Sequence, residues 1–165
     1  MSFSDSYLGR LRERIGSELV LMPGATVALR RPSDGRVLLT RRADDGTWCL
    51  PGGAAEPGGS FAATAVSELE EEAGVTVAEG DLVPFAALSE AALHTIAYPN
   101  GDETHYFAVC FLAERWLGDP RPDGEETTEV EFADPASPPS PLQGPAGHAL
   151  DLLGAYLRSG RFQVR

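Results

Sequence analysis

One stretch of this chain constrains its fold more than any other, the segment 52–75 that reads GGAAEPGGSFAATAVSELEEEAGV. Glycine and proline dominate its first third, which favours a loop. Ser60 is a good helix N-cap, apolar residues then recur with helical spacing over 61–73, and Gly74 stands where a left-handed C-terminal cap belongs. The segment predicts a glycine-rich loop that runs directly into an amphipathic helix.

Three glutamates of this helix, Glu68, Glu71 and Glu72, lie three and four positions apart and therefore share one helix face. Carboxylates about 5–6 Å apart repel one another by about 3 kcal/mol per pair at an effective dielectric of about 20. A run of glutamates on an isolated helix is usually a solvated face. Here the adjoining glycine loop favours a cation between the carboxylates, and the oxygen-only donor set favours Mg²⁺ or Mn²⁺. Glu70 points away from this face.

The segment resembles the Nudix box, G-x5-E-x7-R-E-U-x-E-E-x-G-U with U a bulky aliphatic residue. The matching residues are Gly53, Glu68, Leu69, Glu71, Glu72, Gly74 and Val75. Two positions depart from the pattern, since Gly59 replaces the first box glutamate and Ser67 replaces the box arginine. Outside the box, residues 40–43 and 114–116 resemble stretches of the MutT-like members, so the similarity spans about residues 25–132.

The resemblance implies an α/β fold, an α/β/α sandwich around a mixed β-sheet. It also implies metal-dependent hydrolysis of a phosphoanhydride bond in a nucleoside diphosphate linked to another group. In such a site Glu68, Glu71 and Glu72 hold the metal ions with the Gly53 carbonyl, and one of the three assists deprotonation of the attacking water. Family members often add an acid from a later loop, and Glu125, in the segment 123–126, is the candidate here. A solvated loop is the alternative.

The resemblance further suggests that Arg42, and with it Arg41, makes forked contacts to substrate phosphates, with a surface pair on a strand end as the alternative. Four aromatic residues are candidates for stacking a base, although alternating aromatics on strands more often fill a core: Tyr98, Tyr106, Phe107 and Trp116. The three histidines share no metal-ligand spacing and receive no role.

Three functions remain open, two that differ in substrate and one without catalysis. The first acts on a nucleoside triphosphate, including an oxidised one, and the second acts on ADP-ribose, a nucleotide sugar or a dinucleoside polyphosphate. The third is a nucleotide-binding sensor without activity, which the departures at Gly59 and Ser67 favour.

The composition limits the classes of molecule that this protein can bind. Acidic residues outnumber basic ones by 25 to 13, and the net charge of -12 would repel a polymeric nucleic acid. All the basic residues are arginine, which suits small anionic ligands. Cys49 and Cys110 read as packed thiols, and no apolar run is long enough to span a bilayer. We expect a cytoplasmic protein without membrane contact, as a monomer or homodimer.

The N-terminal part of the chain predicts an amphipathic helix over 6–19 and then two strands, 26–30 and 37–41, that flank a turn at Pro32-Ser33-Asp34-Gly35 as a hairpin. A short strand over 48–50 leads into the glycine loop.

The C-terminal part predicts a hairpin whose arms are residues 93–98 and 104–113. The other predicted elements are strands over 82–88 and 130–132, a proline-rich connection over 135–145 and a helix over 148–158. Length and composition favour a single domain over 1–165.

Overall fold

The computed structural model describes residues 5–165 of the chain. Its helices are α1 (Tyr7–Ile15), α2 (Phe61–Ala73), α3 (Ala91–His94) and α4 (Gly144–Ser159). Its strands are β1 (Val20–Leu29), β2 (Val37–Arg42), β3 (Trp48–Cys49), β4 (Gly52–Ala54), β5 (Val83–Leu88), β6 (Thr95–Ala97), β7 (Glu103–Ala113), β8 (Thr127–Ala133) and β9 (Gln163–Val164). No helix among the described residues has both the length and the apolar character needed to cross a bilayer.

The strands form two sheets. The larger has the order β4-β1-β7-β5-β9, with β6 also paired to β7, and the smaller has the order β3-β2-β8. The larger sheet is mixed, because β1 pairs with β7 and β5 with β9 in parallel while the other pairs are antiparallel. The predicted mixed sheet is therefore confirmed.

Alternation along the central strands distributes the core between two helices. Ala28 of β1 belongs to the apolar cluster that includes Leu150 of α4, whereas its neighbours Val27 and Leu29 belong to the cluster that includes Leu69 of α2. Successive side chains of a strand point to opposite faces, so α2 and α4 cover opposite sides of the strands. The fold is the expected α/β/α sandwich.

The predicted hairpin of 26–30 with 37–41 is wrong. The turn forms, with the Arg31 amide donating to the Arg36 carbonyl at 2.8 Å, but only one bridge, Arg30 to Val37, joins β1 to β2. β1 pairs with β7 along its whole length and with β4 at Gly24–Thr26, whereas β2 pairs with β3 and β8 in the smaller sheet. By contrast, the predicted pairing of 93–98 with 104–113 is present as β6 with β7, although α3 replaces the first residues of the first arm.

Both terminal helices differ in extent from the prediction. Helix α1 stops at Ile15, because Gly16 has a φ of 64° and its amide closes the last turn onto the Arg12 carbonyl. Helix α4 begins earlier than predicted, at Gly144, with Pro145 in its first turn. Proline is favoured there because the first amides of a helix have no partner within it.

Candidate active site

Helix α2 has the predicted bounds and caps. The Ser60 hydroxyl accepts a hydrogen bond from the Ala63 amide at 3.0 Å, and Gly74 adopts the left-handed conformation with a φ of 65°. The apolar face, with Ala65 and Leu69 fully buried, packs into the core. This packing turns the glutamate face towards a cavity.

The glycine loop lies close to the Glu68 side chain of α2 and to the backbone of β1. A Cβ atom on Gly53 would overlap the Glu68 carboxylate, and one on Gly24 of the adjacent β1 would lie 2.6 Å from the Gly53 carbonyl oxygen. The Gly52 amide donates a hydrogen bond to Oε2 of Glu72 at 3.0 Å. Strand β4 thus holds two of the three box glutamates against the loop backbone.

The three carboxylates have different environments. Glu72 is only 6% exposed, and burial, followed by the charge of Glu68, raises its pKa well above the ordinary value. Burial, followed by the charges of Glu71 and Glu126, raises the pKa of Glu68 to about 7. Glu71 is exposed, and the Ser67 hydroxyl, which donates to its Oε1 at 2.7 Å, lowers its pKa. Within residues 5–165, neither Glu68 nor Glu72 forms an ion pair with an arginine.

A second acidic segment, residues 123–126, is hydrogen-bonded to the end of α2 through Thr127. Asp123 accepts hydrogen bonds from the backbone amides of Glu125, Glu126 and Thr127. The Thr127 hydroxyl donates to the Glu72 carbonyl at 2.8 Å and so ties this loop to the last turn of α2. Glu125 and Glu126 both line the cavity.

Glu126, which the sequence did not single out from its neighbours, is the member of this loop whose charge acts on Glu68 and Glu72, whereas the charge of Asp123 acts on Glu71. Burial, followed by the charge of Asp123, raises its pKa, and its own charge raises the pKa values of Glu68 and Glu72. The only signal in the sequence was its place beside Glu125 in a run of acids.

The donor set fits a hard divalent cation, because carboxylate and carbonyl oxygens are the ligands that Mg²⁺ and Mn²⁺ take. Within the described part of the chain, no three His, Cys, Asp or Glu side chains converge closely enough to hold an ion by themselves. Mg²⁺ is usually bound by one or two carboxylates, with waters and substrate phosphates completing its shell. An open cluster of acids meets that requirement.

The acids line one side of a cavity of about 980 Å³. Arg42 also lines it, with a guanidinium that donates to both carboxylate oxygens of Asp44, at 2.9 and 2.6 Å, and lies 5.8 Å from the centre of the Tyr98 ring. Arg41 does not line the cavity; its side chain donates to Glu129 at 2.6 Å. Alternation along β2 separates the two arginines.

Of the four aromatic residues that were candidates for stacking a base, two line the cavity and two do not. Tyr98 and Tyr106 line the cavity, and their hydroxyls are 3.0 Å apart. Trp116 stacks on Phe132 with ring centres 5.7 Å apart, and Phe107 is exposed beside His105. Only the two tyrosines are placed to contact a ligand of the acidic site.

Two cavity residues carried no signal in the sequence. Arg12 of α1 and Asp102, in the turn between β6 and β7, both line the cavity, with Nε of Arg12 3.6 Å from Oδ2 of Asp102. Arg12 is one of several charged residues in what looks like an ordinary amphipathic helix. Nothing in its local pattern separates it from its exposed neighbours.

The residues without a predicted role are mostly internal. Cys49 and Cys110 are buried free thiols whose pKa burial raises to about 12. His94 is buried and stacks on His148, with Nε2 of His94 3.1 Å from Nδ1 of His148. Cys49 and His94 also line the cavity, and no role is assigned to them.

Comparison with known proteins gives a consistent result. A family model described as the NUDIX domain matches residues 20–153. A search of curated proteins found no significant match. Among solved structures, a MutT Nudix hydrolase from Burkholderia pseudomallei is 26% identical, with 81% of this chain and 98% of that chain covered and a TM-score of 0.61.

Two further structures share the fold at lower identity. An ADP-ribose pyrophosphatase from Streptococcus suis is 24% identical, with 87% of this chain and 98% of that chain covered and a TM-score of 0.64. A UDP-X diphosphatase is 17% identical, with 96% of this chain and 73% of that chain covered and a TM-score of 0.66.

Proposed function

The chain belongs to the Nudix family, and from that premise we propose that this pyrophosphohydrolase requires Mg²⁺ or Mn²⁺ and cuts a phosphoanhydride bond in a small nucleotide-like substrate. The observation that carries the proposal is the pair of inward carboxylates, Glu68 and Glu72. Both face a cavity, both have raised pKa values, and neither has an arginine partner among the described residues. A divalent cation would compensate the negative charge that remains on this cluster.

In this proposal Glu68, Glu71 and Glu72 hold the metal together with the Gly53 carbonyl. Glu125 is a candidate further ligand, and Glu126 is the better one because its charge acts on the box acids. When bound, the metal would neutralise charge that develops on the phosphate oxygens and would promote ionisation of water. The glycine loop would keep the phosphates close to the carboxylates, because no side chain intervenes.

The remaining steps belong to side chains of this chain. One of the three box glutamates accepts the proton of the water that attacks phosphorus. The Gly52 amide orients Glu72 by donating to Oε2, and the Ser67 hydroxyl orients Glu71. The resemblance implies that the box arginine helps to hold the catalytic carboxylates, and the contact of Ser67 with Glu71 supplies part of that role.

Arg42 is the proposed phosphate contact. Its two donors already form a fork on Asp44, and a phosphate offers the same pair of oxygen acceptors. Arg41 is bonded to Glu129 outside the cavity, so the proposal assigns the phosphate contact to Arg42 alone. A cavity of about 980 Å³ has room for a complete nucleotide.

A nucleoside triphosphate is the first candidate substrate, and ADP-ribose, nucleotide sugars and dinucleoside polyphosphates form the second group. A triphosphate would give a monophosphate and pyrophosphate, whereas the second group would give two phosphorylated fragments. A non-catalytic sensor is the rival function, for which Gly59 and Ser67 are the supporting departures from the box.

To test the proposal, the purified protein is incubated with representatives of each substrate class, oxidised nucleotides included, in Mg²⁺, in Mn²⁺ and in chelator. A Glu71→Gln, Glu72→Gln double variant should lose cleavage by at least about a thousandfold if both residues act on the transition state. Glu70→Gln, on the solvent face of the same helix, is the matched control and should retain the wild-type rate. Nucleotide binding without cleavage across the panel would establish the sensor instead.

A further inference from the structure

The arginine that the proposed function assigns to the substrate phosphate already has an acceptor within the chain. Nε and Nη2 of Arg42 donate to Oδ1 and Oδ2 of Asp44, at 2.9 and 2.6 Å. Two parallel hydrogen bonds of this kind are also the way in which an arginine holds a phosphate. Asp44 lines the same cavity as Arg42. A carboxylate and the substrate phosphate would therefore meet at one guanidinium.

A second contact of Arg42 does not depend on Asp44. The guanidinium carbon lies 5.8 Å from the centre of the Tyr98 ring, which is within the range of a cation–π interaction. The Tyr98 hydroxyl is 3.0 Å from the Tyr106 hydroxyl, and the Tyr98 amide donates to the Asp102 carbonyl at 2.8 Å. The ring is thus held from its backbone and from its far end. Arg42 can exchange one anionic partner for another while it stays on this ring.

The turn that carries Asp44 is closed by other residues. The Arg42 amide donates to the Thr47 carbonyl at 2.9 Å, and Oδ1 of Asp45 accepts from the Thr47 amide and hydroxyl at 2.9 and 2.7 Å. Within residues 5–165, the only side chain that donates to the Asp44 carboxylate is that of Arg42. Removal of this carboxylate should therefore release Arg42 and leave the turn in place.

The charge of Arg42 reaches the acidic site, where it lowers the pKa values of Glu72 and Glu126. A carboxylate bonded to the same guanidinium offsets this positive charge and repels a phosphate that approaches either edge of it. The Asp44 side chain is 39% exposed, and ion pairs that are open to solvent are weak. Asp44 can thus oppose a phosphate without excluding it.

We propose that Asp44 sets the affinity of the cavity for phosphate by competing with the substrate for the Arg42 guanidinium. The inference rests on the proposed function in that a substrate phosphate contacts Arg42. After the anhydride bond is cut, Asp44 can bind Arg42 again, which weakens the hold on the phosphate product. Asp44 acts through Arg42, so it determines affinity and is not a catalytic residue.

Calorimetric titration with inorganic pyrophosphate in Mg²⁺ tests the competition without requiring turnover. Asp44→Asn keeps the size of the side chain but replaces one acceptor oxygen with an amide nitrogen that cannot accept, so the fork is lost. We expect the dissociation constant of pyrophosphate to fall about fivefold, the upper range for a partly exposed ion pair. KM for a nucleotide substrate should fall in parallel.

Asp34→Asn is the matched control, because Asp34 forms the same fork on another arginine. Nε and Nη2 of Arg31 donate to its two carboxylate oxygens at 3.0 and 2.6 Å. Neither residue is among those that line the cavity. The control removes one negative charge from the same kind of contact, and pyrophosphate affinity should stay at the wild-type value.

The Arg42→Gln background shows whether Asp44 acts through Arg42. Addition of Asp44→Asn to Arg42→Gln should leave pyrophosphate affinity unchanged, since no guanidinium remains to be released. Unchanged or weaker binding by the single Asp44→Asn variant would overturn the inference, and weaker binding would show that Asp44 positions Arg42 instead. Equal tightening by Asp34→Asn, or tightening that persists without Arg42, would also overturn it.

The two proposals fail in different ways. A wild type that cleaves no nucleotide, together with an Asp44→Asn variant that binds pyrophosphate more tightly, would contradict the proposed function and support the competition. Metal-dependent cleavage by a wild type whose affinity for pyrophosphate does not respond to Asp44→Asn would support the function and refute the competition.

Discussion

Ser67 stands in the position of the box arginine, and its side chain contacts one of the box glutamates. Its hydroxyl donates to Glu71 at 2.7 Å, a hydrogen bond that favours the ionised carboxylate and fixes its direction. We expect Ser67→Ala to raise the half-saturating Mg²⁺ concentration about tenfold, because groups that orient metal ligands contribute at that level. The rate at saturating Mg²⁺ should change little.

The measurement for Ser67→Ala is initial rate against Mg²⁺ concentration with one good substrate. Glu70→Gln, which removes a charge from the other face of α2, shows how much a general loss of negative potential contributes. Superimposable Mg²⁺ curves for Ser67→Ala and wild type would mean that the hydroxyl does not position Glu71.

At the level of single residues, the sequence predicted the acids that share a motif and missed those that only the fold brings together. Glu68, Glu71 and Glu72 were accessible because helical spacing alone puts them on one face. Arg12 and Asp102 were not, since they are far apart in the chain and their proximity depends on how α1 docks against the start of β7.

At the level of elements, Thr127 joins the acidic loop 123–126 to helix α2. The residue is 1% exposed, and its hydroxyl donates to the Glu72 carbonyl while accepting from the Asp123 amide at 3.2 Å. Thr127→Val keeps the shape but leaves both backbone groups unpaired. We expect the free energy of unfolding to fall by about 1–3 kcal/mol.

Urea denaturation of the Thr127→Val variant measures this change. Thr128→Val is the matched control, because the neighbouring hydroxyl is exposed and lies 3.4 Å from the Arg41 carbonyl, and its effect should stay below about 0.5 kcal/mol. Equal losses for both variants would indicate that β-strand packing, not the tie to α2, determines the result.

The bounds of α2 were predictable because its capping residues are local in sequence. The pairing partners of the strands were only partly predictable. Hairpin reasoning pairs neighbours in sequence, and it succeeded for β6 with β7. It failed for β1 with β2, because β2 pairs with β3 and β8 instead and β1 pairs with β4 and β7. Which strands pair is a property of the whole sheet, and the turn sequence between two strands does not determine it.

At the level of the whole molecule, the metal-free protein should lose stability as the pH rises. Glu68 has a pKa of about 7 in the folded state, against an ordinary value of 4.5. A folded state that holds a proton more tightly gains stability below pH 4.5 and loses it as the pH rises through about 7. The shift corresponds to about 3 kcal/mol between these limits.

Urea unfolding of wild type and Glu68→Gln in chelator, at pH 5 and pH 8, tests this expectation. The wild type should lose more stability than the variant over this interval, and Mg²⁺ at pH 8 should restore it by binding the folded state alone. If both proteins show the same pH dependence, the Glu68 carboxylate is not the group that titrates.

The near contact of Gly24 with Gly53 gives the motif a boundary in space that differs from its boundary in the sequence. A methyl group on Gly24 would be 2.6 Å from the Gly53 carbonyl oxygen, so β1 obeys the same steric limit as the loop beside it. A side chain at Gly24 would push the Gly53 backbone away, whereas a side chain at Gly53 would displace the Glu68 carboxylate. Gly24 therefore imposes a steric requirement on the glycine loop from a strand that lies outside the box sequence.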